Sequence, residues 1–201
     1  MIGGTAYGVA LNDRAHLAEL AEALTQAPYG KPPIAPILYV KPRNCFAANG
    51  SAVTIPAEFS EVAVGATIAI ERSMSGASVA RLAVDLFAPH VSFYRPAIAE
   101  RCRDGFLPLG PAVAMPANLA TVEIVTSIDG VERHRWNLSR LVRDPATLAH
   151  DVSTFMTLAP GDMLLSGTAG DAPHARAGET IEVIAEGFPA LTISLVAERQ
   201  A

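Results

Sequence analysis

Fixed positive charge in this chain is nearly all arginine. Of 15 basic residues only Lys31 and Lys41 are lysines. A cationic pocket must therefore be built mainly from guanidinium groups, whose planar fork can grip a carboxylate through two parallel hydrogen bonds. The richest supply is Arg95 followed by Arg101-Cys102-Arg103, and these three arginines are candidate contacts for an anionic substrate. The competing role for each is a surface ion pair worth under ~1 kcal/mol. Cys102 has an arginine on either side to favour its thiolate, but no histidine base is adjacent. Neither Cys102 nor Cys45 shows Cys-x-x-Cys or Cys/His zinc spacing, so both are expected to be reduced thiols. His90 could act as a base, although a lone histidine is more often simply hydrogen-bonded. Lys41 heads the segment Lys41-Pro42-Arg43-Asn44, and the commoner condition of a lysine is exposure.

The elements that must position these groups follow from periodicity. Leu17, Leu20 and Leu24 share one face of an expected helix over residues 13–25 with Asp13 as its N-cap, and the proline-rich stretch from Pro28 to Pro36 ends it. Ile37-Leu38-Tyr39-Val40 then reads as a buried strand that delivers Lys41 and Arg43 to its end. Further strands are expected at residues 62–70, 112–115, 122–128, 163–165, 180–184 and 191–196, with a hairpin turn at Asp129-Gly130. A second helix spans about 144–156, with Pro145 at its first position, and Pro160-Gly161 closes the turn after it. Strands outnumber helices and the helices do not follow every strand, which gives a β-rich α+β class rather than an alternating α/β sheet. No Gly-x-Gly-x-x-Gly motif supports a dinucleotide fold.

Composition sets the outer bounds. With 201 residues, half of them hydrophobic, the chain can bury a sizeable core and is expected to be one domain over 1–201. A net charge of −5 gives no basic footprint, so neither nucleic acid nor an anionic membrane is an expected partner. No apolar run approaches the roughly 18 residues of a membrane helix, and Met1-Ile2-Gly3-Gly4 has no basic region followed by an apolar one, which points to the cytoplasm.

Several motifs together resemble the fumarylacetoacetate hydrolase family. They are Arg135-Trp136-Asn137-Leu138-Ser139, Pro160-Gly161-Asp162 leading to Ser166-Gly167-Thr168, and Asp104-Gly105-Phe106-Leu107-Pro108-Leu109-Gly110-Pro111. The resemblance implies a mixed β-sandwich and roll, usually dimeric, in which Mg²⁺ or Mn²⁺ holds a 2-oxo or enol acid. The family's Glu-x-Glu metal pair falls here on Gly65 and Thr67, so both acids are missing. Glu61 and Glu71 each lie four residues from the nearer of those positions, ~13 Å along a strand, and are no easy substitute. The third metal acid matches Asp85, the one candidate ligand left, whose competing role is that of a turn or cap aspartate. Arg101 falls on the family's lysine position, where it keeps the charge but cannot readily give up a proton. Thr168 matches the hydroxyl that contacts a substrate carboxylate, with Gly167 beside it, and Lys41 matches a Lys-Pro motif. The implied assignment is Arg101, Asp85 and Thr168 as catalytic, and Lys41, Arg43, Arg95, Arg103 and Gly167 as substrate-binding.

One branch of the family fits nearly the whole chain, through Tyr39-Val40-Lys41-Pro42-Arg43-Asn44, Ser92-Phe93-Tyr94-Arg95-Pro96 and Glu186-Gly187-Phe188-Pro189. It is similar to the N-terminal half, or separate N-terminal subunit, of the isomerase/decarboxylase of 4-hydroxyphenylacetate (homoprotocatechuate) degradation. That similarity implies decarboxylation of 5-carboxymethyl-2-oxo-hex-3-ene-1,7-dioate and isomerisation of 2-hydroxyhepta-2,4-diene-1,7-dioate, both through a dienolate. The partners it implies are a small di- or tricarboxylate substrate and, as a homodimer or heteromer, a paralogous subunit that keeps the metal acids. Two alternatives stay open: a non-catalytic subunit supporting such a partner, and an acylpyruvate-type C–C hydrolase.

Overall fold

The computed structural model describes residues 3–73, 75–90 and 92–199; Met1 and Ile2, part of the N-terminal reading above, lie outside them. Fourteen strands form among the described residues: β1 (Ala6–Ala10), β2 (Ile37–Lys41), β3 (Phe46–Ala48), β4 (Ala52–Ile55), β5 (Val62–Arg72), β6 (Ser78–Phe87), β7 (Leu107–Leu109), β8 (Val113–Ala114), β9 (Glu123–Ile128), β10 (Val131–Asn137), β11 (Met163–Leu165), β12 (His174–Ala175), β13 (Thr180–Ala185) and β14 (Leu191–Ala197). The α-helices are α1 (Arg14–Glu19), α2 (Ile98–Arg101) and α3 (Pro145–Ser153). The expected β-rich α+β class is what forms.

Nine strands make one sheet, in the order β2-β1-β11-β5-β6-β7-β3, with β12 on β5 and β8 on β6; the other five run β10-β9-β13-β14-β4. Side chains alternate across a strand, so each long strand serves two environments. Val64, Ala66 and Ile68 of β5 and Leu82, Val84 and Leu86 of β6 pack with Ile124, Ile181, Val183, Ile193 and Leu195 of the smaller sheet, forming the sandwich core. The odd-numbered residues of the same two strands face the other way, where Ala69 and Ala83 join Ala6, Cys45, Leu107, Leu109, Met163 and Leu165. Connectivity explains this second interior. β2 ends one side of the nine-stranded sheet and β3 ends the other, yet only Pro42–Cys45 separates them in sequence. So short a link spans at most ~18 Å, so the sheet has to roll round and bring its two ends together.

Local chemistry explains most of the elements. The Asp13 carboxylate accepts from the Ala15 amide, and Asp144 accepts from the Thr147 amide with Pro145 beginning α3, as N-caps should. Asp129 and Gly130 both have positive φ, 50° and 74°, which joins β9 to β10 by the tight turn their types predict. The helix expected over 13–25 is shorter: α1 has six residues and a separate 3₁₀ turn follows at Ala23–Thr25. Only Leu24 of the three leucines is fully buried, and a short helix needs a buried face to persist. β2 is also not the buried strand expected. Placed at the sheet's end, it leaves Ile37–Tyr39 half-buried and Val40 exposed. The strand expected at 112–115 shrinks to Val113–Ala114 between Pro111 and Pro116, which cannot donate to a ladder.

Candidate active site

Inside the roll a charged cluster replaces the hydrocarbon. Asp85 lies on the inward face of β6, fully buried. The Lys41 ammonium, at the end of β2, is 2.6 Å from Asp85 Oδ1, and Arg101 Nη1, on the last residue of α2, is 2.8 Å from Oδ2. The Tyr39 hydroxyl donates to the same Oδ2. Lys41 Nζ also donates to the carbonyls of Leu86 (2.7 Å) and Phe106 (3.0 Å). Three oxygens thus crowd one nitrogen, which calls for the three protons of an ammonium. Its contact with Oδ1 is an ion pair with poor hydrogen-bond direction, and Oδ1 has no other donor. The Arg101 guanidinium is held between two rings, 4.4 Å from the Tyr39 centroid and 3.9 Å from that of Phe87.

Electrostatics follow from this packing. Burial alone would raise the Asp85 carboxyl, but Lys41 and Arg101, with the donors of Lys41 and Tyr39, outweigh it and hold it below its ordinary range. Burial pulls the Lys41 ammonium down and Asp85 restores only part of the loss. Tyr39 is pushed well up, by burial first and then by the Asp85 charge, so it stays a phenol and a donor. Two cations against one carboxylate leave the cluster positive by one charge.

These residues do not fit a Mg²⁺ or Mn²⁺ centre. Gly65 pairs with Asp85 across β5 and β6, but a Cβ on Gly65 would stand 2.6 Å from Thr168 Cγ2 and 2.8 Å from the Asp85 carbonyl oxygen. No side chain, let alone a glutamate, enters there without displacement. The Thr67 hydroxyl donates to the Gly167 carbonyl at 2.5 Å. Glu61 is held by His174 and Arg176, and Glu71 by Arg81. Among the described residues no three His, Cys, Asp or Glu side chains converge. Asp85, expected as a metal ligand, is instead the anion of an ion cluster, because Lys41 and Arg101 already occupy its oxygens.

Two cavities open beside the cluster and share Arg101, His90 and Phe93 as wall. The smaller, about 160 Å³, also meets Thr168, His16 and His174. The larger, about 450 Å³, is lined by β2, Tyr94, Arg95 and Ile98. Of the candidate site residues, Arg101, Thr168 and Arg95 reach cavity walls. The other candidates do not. Lys41 is wholly buried and serves Asp85. Gly167, buried at φ 117°, supplies a carbonyl to Thr67. Arg103 is turned aside by the Ala99 carbonyl, Glu58 (2.8 Å) and the Phe59 ring. Arg43 is exposed on a 3₁₀ turn and lines neither cavity.

Sequence reasoning missed Tyr39, although its place two residues before Lys41 puts both side chains on one face of β2. His90, read as more often hydrogen-bonded than a base, is hydrogen-bonded. His90 Nδ1 lies 3.1 Å from the Ser92 carbonyl, and its Nε2 is buried without a partner. Burial, with Arg101 second, lowers its pKa.

A family model described as the fumarylacetoacetate hydrolase C-terminal domain matches residues 5–196. The 4-hydroxyphenylacetate degradation bifunctional isomerase/decarboxylase of Escherichia coli is 38% identical over 98% of this chain but only 48% of its own length. The chain thus spans about half of the curated relatives that it matches first. Among solved structures, 5-carboxymethyl-2-hydroxymuconate delta-isomerase from Mycobacterium smegmatis superposes with a TM-score of 0.82 at 24% identity, covering all of this chain and 81% of that one. Fumarylpyruvate hydrolase from Pseudomonas aeruginosa, solved with Mn²⁺ and pyruvate, gives 0.77 at 19% identity over 96% of this chain and 90% of that one. At these identities the two structures establish the shared fold.

Proposed function

Because the chain belongs to the fumarylacetoacetate hydrolase family, a family of enzymes, we propose that it is the metal-free half of an isomerase/decarboxylase of 4-hydroxyphenylacetate (homoprotocatechuate) catabolism. Its partner is a paralogous half that carries the metal acids missing here. The substrates are 5-carboxymethyl-2-oxo-hex-3-ene-1,7-dioate, which loses CO₂ as the bond pair enters the conjugated 2-oxo system, and the resulting 2-hydroxyhepta-2,4-diene-1,7-dioate, whose enol proton is lost as one is gained at carbon. One observation carries this reading: a chain matching half of such an enzyme from end to end has the Lys41–Asp85–Arg101 cluster where a metal set would need two more acids. In this chain the positive charge left over at Arg101 borders the cleft and favours an anionic substrate; fixed charge of this kind stabilises a developing enolate.

The test is ultraviolet-monitored turnover of 2-hydroxyhepta-2,4-diene-1,7-dioate by the purified chain and by the chain reconstituted with its metal-bearing partner, each with Mg²⁺ and with EDTA. The expected result is no turnover above the spontaneous rate by the chain alone, and EDTA-sensitive turnover by the pair. Mg²⁺-dependent turnover by the chain alone, or an inactive pair, would overturn the proposal. EDTA-resistant turnover by the chain alone would move the chemistry to Arg101 itself.

A further inference from the structure

The chain's two cysteines, far apart in sequence, pack together in the interior of the roll. Cys45 ends the 3₁₀ turn Arg43–Cys45 in the link that joins β2 to β3, and Cys102 is the C-cap of α2, directly after Arg101. Cys102 Sγ donates to the Val40 carbonyl at 3.1 Å, which leaves its sulfur to accept, and the Cys45 thiol hydrogen-bonds to it. The chain on either side is already tied. Asn44 Nδ2 donates to the Cys102 carbonyl (3.5 Å) and to the Asp104 carboxylate (2.7 Å), and the Gly105 amide donates to the Asn44 carbonyl (3.0 Å). Sulfurs already in contact, on anchored backbones, need only a small shift to reach the ~2.05 Å of a disulfide. Access differs between the two. Cys45 is fully buried, whereas Cys102 is half-buried and lines the 450 Å³ cavity. Burial raises both thiols and the Lys41 ammonium only partly offsets it, so the pair rests reduced and reacts slowly.

We propose that Cys45 and Cys102 are an oxidation site for a hydroperoxide, closing an intramolecular disulfide that ties the end of α2 to the link between β2 and β3. Cys102, reached from the cavity, attacks one peroxide oxygen as its thiolate; the O–O bond breaks, the leaving oxygen departs as water, and Cys102 becomes a sulfenic acid. Cys45 then attacks that sulfur, the S–S bond forms, the S–O bond breaks, and the hydroxyl leaves as water with the Cys45 proton. With hydrogen peroxide, two thiols lose two electrons and two protons, and the peroxide is reduced to two waters. A dithiol reverses the oxidation by exchange. The bond crosslinks the residue next to Arg101, so it holds α2, and with it the Arg101–Asp85 pair, to the closure of the roll.

Treatment of the native chain with hydrogen peroxide at pH 8, then N-ethylmaleimide in denaturant, followed by intact-mass and non-reducing peptide analysis, tests the site. The expected product is a single chain without maleimide label, in which one pair of peptides is joined through Cys45 and Cys102, and dithiothreitol restores two labels. Its thermal midpoint should stand roughly 5–10 °C above that of the reduced chain, because the bond closes a long loop. Cys102→Ser should leave Cys45 open to the maleimide after peroxide. Cys45→Ser should stop at a sulfenic acid on Cys102 that dimedone traps; the half-buried Cys102 variant and the unaltered chain serve even if this one does not fold. Two labels retained after peroxide, a disulfide between two chains, closure only in denaturant, or a midpoint that dithiothreitol does not change would each overturn the proposal.

Discussion

Asp85 is the residue on which this site turns. A fully buried carboxylate is tolerable only because two cations and a phenol surround it, and removing one partner leaves charge uncompensated in a dry interior. Lys41→Ala should therefore cost roughly 3–5 kcal/mol in a urea unfolding experiment, far more than a surface lysine would. An effect below about 1 kcal/mol would mean the ammonium is dispensable. The pH dependence has a definite sign. The Asp85 pKa is lowered on folding from an ordinary 3.8, so its contribution is fully present above that value and is lost as pH falls through the lower folded one. The stability gap between the protein and Asp85→Asn should hold from pH 7 to 4 and narrow below it; a gap that stayed constant to pH 2.5 would contradict the ion cluster. Thiols give an independent check. Burial raises the Cys45 thiol to about 12 and also raises Cys102, whose flanking arginines do not outweigh it, in keeping with the reduced thiols expected. Iodoacetamide at pH 7.5 should label Cys45 slowly in the native protein and rapidly in denaturant.

Two neighbouring strands decide whether a metal could enter. β5 and β6 pair over ten residues in strict register, so Gly65 faces Asp85 and the Thr168 methyl fills the place where a side chain would begin. Gly65→Ala should cost about 1–3 kcal/mol by overpacking. Thr168→Ser, which removes the obstructing methyl, should recover part of that and not all, since the Asp85 carbonyl also stands within 2.8 Å of the new Cβ. Full rescue in a urea series would show that only the threonine is in the way. β5 was legible as a run of small and branched apolar residues, whereas β6 was not assigned. Its inward face carries Arg81 and Asp85, and two charges in ten residues hide a strand whose side-chain partners lie up to 46 positions away at Tyr39. The caps at Asp13 and Asp144 and the turn at Asp129-Gly130 depend on a few neighbouring residues, and those were readable.

Closure of the nine-stranded sheet cannot be read along the chain, because it depends on which strands become its two ends. That closure makes Lys41, implied as substrate-binding, a core ion and separates Arg101, on the cavity wall, from Arg103 two residues later. The family motifs carried the fold and the loss of the acids; the replacement cluster needed the roll. With Asp85 held by two cations and the cluster net positive, the described residues hold no carboxylate set for a divalent ion to stabilise, so Mg²⁺ or EDTA should leave the thermal midpoint unchanged, whereas a bound metal would raise it with concentration. The outside of the roll bears on the proposed partner. Val40, Tyr94 and Ile98 are 40, 58 and 56% exposed, and all line the 450 Å³ cavity, which makes a contiguous apolar opening beside an uncovered strand end. A second family half is the occupant to expect under the proposed function, since the chain spans only 48% of the isomerase/decarboxylase that it matches. Ile98→Arg places a charge on an exposed side chain and should leave the melting curve within about 0.5 kcal/mol of the original. The same change should abolish co-sedimentation with the metal-bearing partner, because an unpaired charge would be buried at the contact. A variant that still co-sediments would put the partner on another face of the roll.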